Sequence, residues 1–147
     1  MKKYTALFAA MAMVFCVLWF YELFDKTDAK EACRNYASLA ASSFEEHEMM
    51  KEHFEGSSSP LANYWHGVAE FYAFCEHLRS LVGDEDPFYK DCRSLYHHMI
   101  LKSEEVVTHA FELTAALERL SENYEDGEGR KTISDLNYLF QYSVYPQ

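Results

Sequence analysis

Apolar and aromatic side chains return every three or four positions through residues 28–55: Ala29, Cys33, Tyr36, Ala40, Phe44, His47, Met50 and Phe54. That is the period of one helical face, so the stretch predicts an amphipathic helix. After the "GSSSP" break at 56–60, Ser59 as N-cap and Pro60 in the first turn start a second helix. Its stripe is Leu61, Tyr64, Val68, Phe71, Cys75 and Leu78, and Gly83 stops it. Asp86 and Pro87 repeat the start signal for a third, long helix with Phe88, Cys92, Leu95, Met99, Val106, Ala110, Leu113, Leu117, Leu120 and Tyr124 on one side. From Val106 onward the spacing alternates four and three, a short heptad seam. Thr132 is read as the cap of a final helix in "TISDLNYLFQYSV". No segment requires a strand, and the fold class expected is all-α.

The first 25 residues follow a different pattern. Lys2 and Lys3 precede a run from Tyr4 to Tyr21 without a charge, and the run to Phe24 would extend roughly 31 Å as a helix, about one hydrocarbon thickness. A cleaved signal would need a shorter apolar core and a small-x-small site; Ala10-Met11-Ala12 is followed by further apolar residues, among them Val14, Leu18 and Trp19. Residues 1–25 are therefore read as a retained transmembrane signal-anchor that contacts the lipid bilayer, and 26–147 as one extracytoplasmic helical domain. Met13, Val14 and Phe15 are too large for a lipid-attachment site at Cys16. The two leading lysines favour a single-pass inner-membrane orientation, N-terminus cytoplasmic and C-terminal domain periplasmic.

Charge narrows the partners. The chain has 13 basic and 24 acidic residues, and the part beyond the anchor keeps a net charge of −11. This disfavours nucleic acid and anionic headgroups and suits a basic protein surface. Aromatic residues make up 16%, which argues for a packed core or an adhesive face rather than disorder.

Cys75 and Cys92 flank the turn "VGDEDP", which joins the second and third helices into a hairpin. Their distances from the turn place them at heights differing by about 3 Å on the two apolar stripes. In an oxidising compartment they are expected to form a disulfide, contributing on the order of 3 kcal/mol. The alternative is two separate buried thiols. Cys33 is left over, for an intermolecular bridge or exchange with either partner.

Three histidine groupings invite a metal. His66, Glu70 and His77 share a helical face, but a helical metal bundle draws matching ligands from several helices, and none is evident. In "EEHEMMKEHFE", Lys51 stands where a second zinc histidine would be required, and His47 and His53 face different directions. His97 and His98 are adjacent and cannot face one point. The first grouping is read as a solvated polar face and the second as a charged helix end, with no metal and no cofactor expected. No nucleophile elbow, Cys-x-x-Cys pair or phosphate-binding glycine loop is present, so no enzymatic activity is expected.

The segment "EFYAF" at 70–74, the Asp86-Pro87 turn and Cys92, behind a leading anchor, resemble the lysis-inhibition antiholins of T-even-like phages. The match covers about 25 residues and the general layout. In that family both cysteines follow the Asp-Pro turn, whereas Cys75 precedes it here, so that family's pairing does not carry over. The resemblance implies a domain that sequesters the periplasmic domain of a holin and delays lysis, using Phe71, Tyr72, Phe74 or neighbouring aromatics to bind it. The alternative is a structural or assembly subunit of a cell-envelope complex, in which the Val106–Tyr124 seam pairs with another helix or with a second copy in a homo-oligomer.

Overall fold

The computed structural model describes residues 25–49 and 59–142. The apolar run from Tyr4 to Phe24 lies outside them, as do Met50, His53 and Phe54. Among the described residues no helix is long and apolar enough to cross a membrane. Every regular element described is helical, in agreement with the all-α expectation. The helices are α1 over 25–49, α2 (Ser59–Val82), α3 (Pro87–Leu101), α4 (Ser103–Val107), α5 (Ala110–Glu122) and α6 (Gly127–Tyr142).

The expected hairpin is present, and its chemistry is local. Gly83 takes φ +88° and its N–H donates to the Arg79 carbonyl at 2.8 Å, closing α2 in the left-handed conformation that glycine tolerates. Three residues on, the Asp86 carboxylate accepts from the Tyr89 N–H at 3.0 Å and Pro87 opens α3.

The third segment departs from expectation. It is broken at Lys102 and again at Thr108–His109, so α5 does not continue α3. The reason lies in how α6 is gripped. Arg130 stacks on the Phe88 ring at 4.7 Å, Asp91 binds Ser134 and Asn137, and Lys102 Nζ donates to the Phe140 carbonyl, so α3 and α6 run in the same direction. Gly129 of α6 meets Ala116, Arg119 and Leu120 of α5, and the tight turn between the two makes them antiparallel. Since α5 must oppose α3, the chain has to reverse, and α4 makes that turn. The Thr108 hydroxyl donates to the Glu105 carbonyl at 2.7 Å as the short helix ends.

Thr132 is not the cap of the last helix. Asp126 has that role, four residues after Glu122 closes α5: its carboxylate accepts from the Gly129 N–H at 2.7 Å. Thr132 lies inside α6, where its hydroxyl donates to the Glu128 carbonyl.

Helix α1 completes a ring. Its Phe44 ring packs on Tyr64 at 5.8 Å and over Gly67 of α2, while Arg34 Nε donates to the Ser121 carbonyl of α5 at 2.8 Å. Going round the bundle, each of α1, α2, α3, α6 and α5 touches the next, and α1 closes on α5. Phe44, Phe71, Phe74, Leu78, Leu95, Met99, Leu117 and Phe140 fill the centre; burial of each stabilises the fold by roughly 1.5–3 kcal/mol. Val106, Ala110, Leu113, Leu117 and Leu120 are buried in this same core. The heptad seam is therefore consumed within the chain and does not present itself to another helix.

Candidate functional site

Helices α2 and α3 diverge enough at their outer faces to leave a groove of about 360 Å³. Tyr72 and Tyr96 form one wall with ring centroids 5.0 Å apart, and His97 stands 5.8 Å from Tyr96. Arg79 and Arg93 line the rest, with Glu76 beside them and Cys75 and Tyr89 beneath. Arg79 is held by Asp84, its Nε donating to the carboxylate at 2.5 Å, and approaches Glu76 at 3.6 Å. On a strongly acidic chain this is a local concentration of tyrosine and arginine, the residue types that anchor protein interfaces.

Of the three aromatics expected to bind a partner, only Tyr72 is available, at 46 % exposure. Phe71 and Phe74 are fully buried, their ring centroids 5.8 Å apart. The helical period explains the correction: Phe71, Phe74, Cys75 and Leu78 form the inward face of α2, and Tyr72 points away from it. Sequence reasoning missed Tyr96 and Arg93, which join Tyr72 only because the hairpin sets α3 antiparallel to α2. Their signal was position alone, beside rather than on the α3 stripe.

Below the groove, Cys33 of α1, Cys75 of α2 and Cys92 of α3 are buried free thiols. The expected Cys75–Cys92 bridge is not formed in the structure, where both are free buried thiols, but the hairpin does set the two close enough to influence each other, as the spacing requires. Burial pushes the Cys33 thiol up to about 12, with Cys75 adding to the shift and Arg130 opposing it. Cys92 is also raised, first by burial and then by the neighbouring Cys75. Thiols held in the protonated form are poor nucleophiles. That Cys33 joins the other two was not visible in sequence.

The histidines separate. His66 Nε2 lies 3.1 Å from Glu70 Oε1, and Glu70 also accepts from the Ser43 hydroxyl at 2.7 Å, which ties α2 to α1. His77 does not converge on them but stacks on Tyr36 at 5.3 Å. His47, read as part of a charged helix end, is buried against Tyr64. His98 points toward Phe140 while His97 faces the groove; burial, with help from Lys102 and His97, lowers the His98 pKa. Among the described residues no three histidine, cysteine or carboxylate side chains are grouped to hold a metal ion.

No protein-family model, curated protein or solved structure matches this chain.

Proposed function

We propose that the chain is a membrane-anchored, extracytoplasmic binding protein of antiholin type, which captures the periplasmic domain of a holin through the α2–α3 groove and delays lysis. The observation that carries this reading is the pairing of exposed Tyr72 with half-buried Tyr96 beside Arg93, set on the same hairpin whose sequence resembles the antiholins. Tyrosine and arginine offer broad contact and directed hydrogen bonds at low entropic cost. The remaining parts support stoichiometric capture rather than catalysis: Cys33 is buried and its thiol pushed up by that burial, and the groove presents tyrosine and arginine as binding groups. Tyr4–Phe24 forms the anchor, confining the domain to the surface where its partner resides and raising the effective concentration of both. In that oxidising compartment Cys75 and Cys92 close to a disulfide that clamps the groove's two walls.

The test is lysis timing. Expressed beside a phage lysis cassette that contains the cognate holin, the full chain delays lysis, Tyr72→Ala shortens the delay, and Phe111→Ser, remote from the groove, does not. Lysis on the same schedule with and without the chain would sink the proposal.

A further inference from the structure

A different pair of helices forms a second groove, of about 410 Å³, between the end of α1 and the start of α5. Phe111 stands on one side of it with 81 % of its surface exposed, and Met49 on the other with 59 %. Glu45, Glu48 and Glu118 line its rim. Thr114 lies within it at only 8 % exposure, and its hydroxyl has no hydrogen-bond partner among the described residues. An aromatic ring held in water does little for the fold, and a buried hydroxyl left unpaired works against it.

We propose that this groove receives a cationic amphipathic helix of a partner protein. The apolar face of such a helix covers Phe111 and settles against Met49, whose unbranched thioether adapts to irregular surfaces. Lysine or arginine along its edge meets the Glu45 and Glu118 carboxylates. Charge selects this occupant over the others. A second copy of the chain, itself at −11, meets like charge at the rim. A purely apolar ligand leaves the rim carboxylates without new partners. The inference stands apart from the holin reading, because it concerns a different face and does not use Tyr72.

The experiment uses full-length protein in zwitterionic phosphatidylcholine nanodiscs, with a fluorescent leucine/lysine amphipathic peptide as probe and the same peptide with glutamate for lysine as control. The cationic peptide is expected to bind, and added salt to weaken it. Phe111→Ser and the double variant Glu45→Gln/Glu118→Gln should each weaken it about tenfold or more, while Glu104→Gln and Tyr72→Ala leave it unchanged. All the altered positions lie at the surface, and circular dichroism verifies that each variant is folded. Equal binding of the glutamate peptide, or groove variants that bind like the parent, overturns the proposal. So does a chain dimer that Phe111→Ser dissolves without any binding of peptide, an outcome that assigns the groove to a second copy.

Discussion

At the scale of single residues, the contact between α1 and α2 depends on a missing side chain. A β-carbon at Gly67 would sit 2.9 Å from Phe44 Cε1, so Gly67→Ala forces the ring or the helix to move. Overpacking of this kind costs about 1–3 kcal/mol, more than the gain of up to about 1 kcal/mol from alanine's helix propensity. The variant is expected to unfold at lower denaturant concentration. Cys33 offers a pH test. In the folded chain it keeps its proton up to about pH 12, while the unfolded chain releases it from about pH 9. The folded state thus binds the extra proton, and stability of the reduced protein falls as pH climbs through that window. Cys33→Ala should flatten this decline; an unchanged slope in alkaline denaturant titrations would refute the assignment. The sequence places Cys33 on an apolar stripe, but its approach to Cys75 and Cys92 depends on how α1 lies across the hairpin.

Among the elements, two aspartates hold helix starts that sequence reading treated differently. Asp86 precedes a proline and was legible. Asp126 was not, because it sits in "EDGEGRKT", where two glycines read as loop. Gly129 is in fact helical, and its lack of a side chain lets α6 approach α5: a β-carbon there would meet the Ala116 carbonyl oxygen at 3.0 Å. Asp86→Ala and Asp126→Ala should each cost about 0.5–2 kcal/mol, measured by chemical denaturation. A loss at Asp126 matched or exceeded by Thr132→Ala would restore the later start. The breaks around α4 escaped for another reason: the apolar period continues through them, and a period records which residues face inward without recording when the chain changes direction.

Across the whole molecule, α3 is the pillar on which α2 and α6 converge. The Asp91 carboxylate accepts from the Ser134 hydroxyl at 2.6 Å and from the Asn137 amide at 3.1 Å. Asp91→Ala strands a nearly buried amide and is expected to destabilise the fold by about 1–3 kcal/mol, with a matching shift in the unfolding midpoint. The hairpin carries the other prediction at this scale. Protein exported to an oxidising compartment should yield a Cys75–Cys92 crosslinked peptide, and reduction should lower its stability by about 3 kcal/mol. Recovery of both as free thiols from that compartment would remove the clamp from the proposed mechanism.

The amino-acid pattern by itself determined the helical class, the hairpin with its Gly83 stop and Asp86 start, and most of the residues that turn inward, because burial periodicity, capping and turn chemistry act between near neighbours in the chain. Only the tertiary structure decided that the third segment folds back on itself, that Phe74 joins Phe71 in the core while Tyr72 meets Tyr96, and that three cysteines from separate helices share one site. Those outcomes depend on the direction and rotation of one helix against another, which are set by contacts between residues far apart in sequence, such as Asp91 with Ser134 or Arg34 with Ser121.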